Sequence, residues 1–159
     1  MKLPVQHMPL WRRRPLTEAE IEFARVAFGE EIAWRGVGVI QAPPWLGFGA
    51  MVPFGRTILF ARWRAWSDFA QAPLGEQGWF VHELMHVWQA QRGIVLAGAK
   101  LGALGKGAYL YKPHAGARLA EFNIERQAEI ARHLFLARMG KPDPAAPPRD
   151  WLEDVWARR

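Results

Sequence analysis

The sequence predicts a small α+β domain in which a short antiparallel or mixed sheet packs against two helices. Brief runs of β-type residues between positions 37 and 60 are interrupted by glycine and proline, a pattern typical of short strands joined by turns. Two longer segments, 80–89 and 117–139, repeat apolar residues at helical spacing. The chain has 159 residues, half of them hydrophobic, which suffices for one packed core and hardly for two.

The chain is predicted to consist of three parts. Residues 1–15 form an irregular arm, residues 16–140 form the domain that carries the site, and residues 141–159 form a proline-rich tail with a short terminal helix. That helix is predicted to begin near Asp150. The residues expected to dock on the body of the domain are Leu152, Val155 and Trp156.

A capping box marks the start of the first helix. The Thr17 hydroxyl and the Glu20 carboxylate can satisfy free backbone amides there. The helix should run to about Phe28, because a glycine follows. Two or three short strands are expected before residue 60. Further on, the glycine-rich segment Gly98–Gly107 fits either a second helix or a mobile loop, and a short extended piece should follow over residues 109–111.

The segment His82-Glu83-Leu84-Met85-His86 carries the chemistry. On a helix, residues four apart lie on one face, so His82 and His86 can direct two imidazoles at the same point. Two neutral imidazoles suit a zinc ion, and Glu83 between them can act on a water that the metal activates. The motif therefore predicts a zinc site that still needs a third protein ligand.

Glutamates on the long helix predicted over Ala117–Met139 offer this ligand. Glu121, Glu125 and Glu129 recur every four residues and form one stripe of carboxylates. Like charges at this spacing repel by roughly 0.2–0.5 kcal/mol per pair on an exposed helix, so a nearby cation would relieve the repulsion. The alternative interpretation is a surface ladder neutralised by Arg118, Arg126, Arg132 and His133. The spacing alone leaves open which glutamate would bind the metal.

The segment Ile124-Glu125-Arg126-Gln127-Ala128-Glu129 resembles the Phe-Glu-x-x-Ala-Asp signature of membrane-bound gluzincin metallopeptidases. In that clan, one acid downstream of His-Glu-x-x-His binds zinc, and a second acid one turn later supports a ligand histidine. The resemblance implies that Glu125 is the zinc ligand and that Glu129 supports His82. This chain has Glu129 where those relatives usually have aspartate. The competing register takes Glu121 as the ligand, with Glu125 as its support.

Five segments between residues 14 and 137 carry a wider resemblance. They are Arg14-Pro15-Leu16-Thr17, Val26-Ala27-Phe28-Gly29, Asp68-Phe69, the Phe80 to Gln89 segment and the Asn123 to Glu129 segment. Together they resemble a small bacterial family described as Vgr-related or Rhs-element Vgr proteins, a name tied to type VI secretion neighbourhoods. The resemblance implies a minimal zincin-like domain and a secretion-system partner, but no particular substrate.

The predicted activity is hydrolysis of peptide bonds in a peptide or protein substrate, with zinc as the cofactor and Glu83 as the general base. The oxyanion should need a further donor. Tyr111 is the predicted donor, and Tyr109 and His114 are the alternatives. By analogy with the zincin fold, an edge strand over Gly55–Phe60 would present an extended substrate. The alternative function is a zinc-binding interaction module of a secretion system that catalyses nothing.

Composition narrows the remaining classes of function. The chain has no cysteine, which excludes thiolate zinc ligands, a disulfide scaffold and a cysteine nucleophile. Its net charge is +6, but no nucleic-acid-binding motif accompanies the consecutive arginines at 12–14, so a solvated basic surface is the preferred interpretation. No signal peptide or membrane span is predicted. The protein is therefore expected to be cytoplasmic, unless it is exported without a cleaved signal.

Overall fold

The structure is a computed structural model that describes residues 8–9, 11–43, 45, 49–52, 55–101, 105 and 107–159. Within these residues the chain forms the small α+β architecture that the sequence predicts, and none of the helices described is long and apolar enough to cross a membrane. The elements in chain order are β1 (Arg13–Pro15), α1 (Glu18–Phe28), β2 (Gly38–Gln41), β3 (Ala50–Met51), β4 (Thr57–Phe60), α2 (Leu74–Gln91), α3 (Leu96–Leu101), α4 (Ile124–Arg138) and α5 (Arg149–Ala157).

The strands form a mixed four-stranded sheet in the order β1-β2-β4-β3. β1 runs antiparallel to β2, β2 runs parallel to β4, and β3 runs antiparallel to β4. The expectation of an edge strand over Gly55–Phe60 is therefore wrong. Ala50 pairs with Phe60 and Met51 with Leu59, so β3 takes the edge that β4 would otherwise occupy.

The last residues of the predicted N-terminal arm form a strand. Arg13–Pro15 pairs with Gly38–Ile40 as strand β1. Residues 1–7 and residue 10 of the arm lie outside the described part of the chain. Backbone pairing with β2 thus ties the end of the arm to the sheet.

Helix α1 begins and ends as predicted. The Thr17 hydroxyl accepts a hydrogen bond from the Glu20 amide at 3.1 Å, and the Glu20 carboxylate accepts one from the Thr17 amide at 2.8 Å. Gly29 ends the helix at a φ of 55°, a backbone conformation that favours glycine. Glu20 is fully buried, and its carboxylate also binds Arg14 at 2.6 Å and the Phe69 amide at 2.7 Å. One capping residue therefore joins α1 to β1 and to the turn before α2.

Aromatic rings fill the space between the sheet and the helices. Phe60, Phe69 and Phe80 are fully buried. Their ring centroids lie 4.7 Å apart for Phe60–Phe69 and 4.5 Å apart for Phe69–Phe80. Phe23 of α1 contacts Phe80 of α2 and Phe135 of α4, at centroid distances of 5.6 and 5.8 Å. Removing one such buried ring typically costs about 3–5 kcal/mol, so these contacts hold α2 and α4 in place.

Helices α2 and α4 pack side by side more extensively than any other pair of described elements. Gly78 permits the close approach, because a Cβ there would lie 3.3 Å from side-chain atoms of Arg132 and Leu136 on α4. Every residue of α2 from Phe80 to Gln89 is buried. A helix that is enclosed on all sides belongs to the centre of a domain, and its polar residues need partners there.

Helix α4 begins later than the predicted Ala117. Asn123 caps it by accepting a hydrogen bond from the Arg126 amide at 2.8 Å, so Ile124 is its first residue. Residues Leu119–Glu121 form a separate 3₁₀ turn ahead of it. Glu121, the first of the three glutamates in the predicted stripe, therefore lies outside helix α4.

The terminal helix α5 docks on the domain as predicted. Leu152, Val155 and Trp156 are buried. The Trp156 indole N–H donates to the Ala27 carbonyl at 3.0 Å, and its ring lies edge-on to Phe28 at a centroid distance of 5.8 Å. Helix α5 thus covers the core beside the C-terminal end of α1.

Part of the glycine-rich segment after α2 is helical. Helix α3 covers its start, residues 102–104 and 106 lie outside the described residues, and residues 107–109 form a turn. No strand forms over residues 109–111, so the extended piece predicted there does not pair with the sheet.

Candidate metal centre

Three buried side chains meet where α2 faces the first turn of α4. His82 and His86 come from α2 and Glu125 comes from α4, and one potential ligand atom of each lies within 4.8 Å of the others. The Nε2 atoms of both histidines are 3.3 Å from the same atom, Oε2 of Glu125. The group is a compact set of two nitrogens and one oxygen that could hold a metal ion.

The start of α4 decides which glutamate joins the histidines. Glu125 follows the Asn123 cap and lies in the first turn of the helix, opposite α2. Glu121 precedes the helix, is half-exposed, and lies 3.2 Å from Nε2 of His114. The structure therefore brings Glu125, and not Glu121, close to His82 and His86.

Each of the two histidine rings has a hydrogen-bond partner at Nδ1, the nitrogen that is not near Glu125. Nδ1 of His82 lies 3.1 Å from Oε2 of Glu129, and Nδ1 of His86 lies 2.8 Å from Oε1 of Gln89. When Nδ1–H donates in both rings, each Nε2 keeps its lone pair directed toward Glu125. That is the tautomer a metal ligand needs.

Burial and charge oppose each other in this group. Burial lowers the pKa of His82, but hydrogen bonds to Glu125 and Glu129 outweigh it and raise that pKa to about 9. Burial raises the pKa of the two carboxyls. The histidines nevertheless hold the pKa of Glu125 far below its usual range, and His82 together with Arg132 lowers the pKa of Glu129 to about 2. Both carboxylates stay charged, so the site favours a cation, either a proton on His82 or a metal ion.

Glu83 lies beside the ligand group and is only 5% exposed. Its Oε2 atom has no hydrogen-bond partner among the described residues, and its charge contributes to the raised pKa of His82. A buried polar atom without a partner costs about 1–3 kcal/mol, and more when it is charged. Such an oxygen fits a site that receives a further polar group.

Tyr109 is the candidate oxyanion donor that contacts the ligand group. Its ring centroid lies 5.8 Å from that of His82, and the residue is 45% exposed. Burial, followed by the charges of three carboxylates with Glu125 first among them, raises the pKa of Tyr109. The hydroxyl therefore stays protonated at neutral pH and lies where the site meets solvent.

Tyr111 and His114 have other partners. The Tyr111 hydroxyl lies 2.5 Å from Nδ1 of His133, and its ring stacks on Trp151 at a centroid distance of 5.8 Å. His114 is exposed and pairs with Glu121. Neither residue makes a described contact with the three ligand side chains.

Sequence reasoning gave Gln89 no role in the site and considered Arg132 only as a partner in a surface ladder of charges. Gln89 is fully buried, and its Nε2 donates to the Ile124 carbonyl at 3.0 Å, which fixes it between α2 and α4. Arg132 donates to Oε1 of Glu129 at 2.6 Å. Each lies three residues beyond a candidate, His86 or Glu129, on the same helix. A search for polar residues at that spacing would have found both.

No protein-family model matches the chain. Among curated proteins, the type VI secretion system spike protein VgrG2b of Pseudomonas aeruginosa is 36% identical over 134 residues, which cover 79% of this chain and 13% of that protein. Among solved structures, the effector domain of Pseudomonas aeruginosa VgrG2b matches with a TM-score of 0.73 and 29% identity, over 98% of this chain and 88% of that chain. The chain thus spans a small part of the full-length spike protein. In sequence and in fold, it is similar to the effector domain of VgrG2b.

Proposed function

We propose that this chain is a zinc-dependent metallopeptidase built on a minimal zincin-like domain of the gluzincin type. The observation that carries the proposal is the buried set of His82, His86 and Glu125, with the unpartnered carboxylate oxygen of Glu83 beside it. Two imidazoles and one carboxylate are the protein ligands of a common class of catalytic zinc site. The carboxylate of Glu129 and the side-chain amide oxygen of Gln89 can accept hydrogen bonds from the Nδ1–H groups of the two histidines, which is the outer support that such ligands carry.

The proposed reaction is hydrolysis of a peptide bond. A zinc ion held by His82, His86 and Glu125 would supply a Lewis acid, which would polarise the peptide carbonyl and lower the pKa of the attacking water towards about 7. Glu83 accepts the proton of that water and delivers it to the leaving amine. Tyr109 is the proposed donor to the oxyanion, in place of Tyr111, because it contacts His82 and keeps its proton at neutral pH.

Protein purified without added metal should contain one zinc ion per chain. Glu125→Ala should lose most of this zinc, since it removes one of three ligands. Glu121→Ala should keep it and serves as the matched control, because Glu121 is half-exposed and pairs with His114. Elemental analysis of the purified proteins measures the difference. Zinc that persists in Glu125→Ala and disappears in Glu121→Ala would contradict the proposed ligand set.

Removing the Glu129 carboxylate should weaken zinc binding without unfolding the domain. Residues that orient a ligand histidine typically change metal affinity or activity by about 10–100-fold when they are replaced. Competition with a chelator should show a loss of this size for Glu129→Ala, while circular dichroism stays unchanged. An unaltered affinity would show that His82 needs no such support.

The alternative function is a zinc-binding module that attaches to a secretion system and cleaves nothing. The similarity to part of a type VI secretion spike protein favours this alternative, because a domain attached to such a spike could act by binding alone. Digestion of a diverse peptide library, with and without a chelator, separates the two. Cleavage that stops on chelation supports the peptidase, and metal-dependent partner binding without cleavage supports the module.

A further inference from the structure

The Arg132 guanidinium is fixed from three sides beside the candidate metal centre. Its Nε and Nη2 atoms donate to Oε1 of Glu129 at 2.8 and 2.6 Å. Nη2 also donates to Oδ2 of Asp143 at 2.9 Å, and the Trp79 ring lies 5.2 Å from the guanidinium carbon. Asp143 belongs to the proline-rich tail, so this arginine links the tail to α4 and, through Trp79, to α2.

These contacts divide the two oxygens of Glu129 between different partners. Oε1 receives Arg132 and lies 3.3 Å from Nε2 of His133, while Oε2 lies 3.1 Å from Nδ1 of His82. The Tyr111 hydroxyl lies 2.5 Å from the opposite nitrogen of His133, Nδ1, so Nε2 faces both Oε1 of Glu129 and Nη2 of Arg132, the latter at 3.2 Å. A carboxylate held by its first oxygen has little freedom to turn, so its second oxygen stays directed at the histidine.

We propose that Arg132 and Asp143 are positioning residues for the metal ligand His82. They act through Glu129, whose fixed orientation keeps the His82 ring turned so that Nε2 faces the ion. This inference rests on the proposed zinc site. It adds that the tail, through the contact of Asp143 with Arg132, is part of the support of that site.

Zinc affinity, measured by competition with a chelator, tests the inference without a substrate. Arg132→Met should weaken zinc binding by about tenfold, the lower end of the range for groups that orient ligands. Arg132→Lys keeps the charge but not the paired donors, so its affinity should lie between that of Arg132→Met and the wild type. Arg149→Met removes an exposed arginine from its ion pair with Glu153 and should leave zinc affinity unchanged.

A double substitution separates positioning from a general structural role. If Arg132 acts through Glu129, then Arg132→Met should cause no further loss of affinity in a chain that already carries Glu129→Ala. Asp143→Asn is a milder test: Oδ1 accepts the Ala145 amide at 2.9 Å, a bond the amide side chain can keep, while the charge facing Arg132 is lost. It should weaken zinc binding by less than Arg132→Met does.

The outcomes distinguish this inference from the proposed function. If the wild type takes up no zinc, the proposed metal site itself fails. If zinc binds and Glu129→Ala weakens it, but Arg132→Met binds as tightly as the wild type, the positioning role is overturned and the metal site stands. A further loss in the double variant also overturns it. Should Arg132→Met not fold, wild-type affinity in both Arg132→Lys and Asp143→Asn would overturn it equally.

Discussion

Replacing Glu83 with glutamine should reduce peptide cleavage by about 10²–10⁴-fold while leaving the zinc content unchanged. Glu83 is a neighbour of the ligand set and supplies none of its ligand atoms, so zinc retention should not require its carboxylate. Glutamine has nearly the same shape but cannot accept the proton of the attacking water. Digestion of a diverse peptide library, analysed by mass spectrometry, measures the loss for the variant, the wild type and the chelated wild type.

A matched control lies on the same helix. Glu76→Gln makes the same chemical change two turns earlier on α2, away from the ligand group, and should leave cleavage intact. Equal cleavage by the wild type and Glu83→Gln, with none after chelation, would exclude Glu83 as the base. Equal cleavage in all samples, the chelated one included, would come from a contaminating peptidase. If the chain is only a binding module, Glu83→Gln should leave partner binding almost unchanged.

Replacing Glu20 with alanine should destabilise the folded domain by about 3–5 kcal/mol, the range for breaking a buried ion pair. Glu20 is fully buried, and its carboxylate receives Arg14 together with the amides of Thr17 and Phe69. The substitution would leave a partly buried guanidinium and two amides without that partner. Denaturant unfolding should show the loss as a lower midpoint at an unchanged slope.

Glu18→Ala is the control for the helix start. Glu18 is also acidic and lies in the same first turn of α1, but it is exposed. Its removal should cost about 0.3–1 kcal/mol, the usual contribution of one charge near a helix terminus. A similar loss in both variants would mean that Glu20 acts only as a cap and not as the junction between α1, β1 and the turn before α2.

Local signals predicted the parts of the fold that local interactions determine. The capping box at Thr17 and Glu20 marks the start of α1 because its hydrogen bonds join residues three positions apart. The same glutamate also binds the Phe69 amide, 49 positions away, and no feature of the first segment indicates that contact. The strand order also depends on contacts between segments that are far apart along the chain: Arg13 of β1 pairs with Ile40 of β2, and no local signal indicates that pairing.

The candidate site was predictable to the extent that helical spacing decides it. The four-residue interval brings His82 and His86 to one face of α2. The contact between Glu129 and His82, which the structure contains, was implied by the gluzincin resemblance and not by spacing. Spacing also suggested that Glu121 continued the stripe, but the Asn123 cap starts α4 after it. The Asn123 cap can be predicted from the sequence. The contact between Asp143 of the tail and Arg132 can be seen only in the folded chain.

The ligand set joins two helices that lie far apart along the chain, since His82 and Glu125 are 43 positions apart. An ion bound there would act as a reversible cross-link and close a long loop in a chain that has no cysteine to close one covalently. Ligand linkage then makes the free energy of unfolding depend on the free ion concentration, by about 2.7 kcal/mol at a hundredfold excess over the dissociation constant. The fraction of the domain that stays folded would then depend on the concentration of free metal ion in the compartment that it occupies.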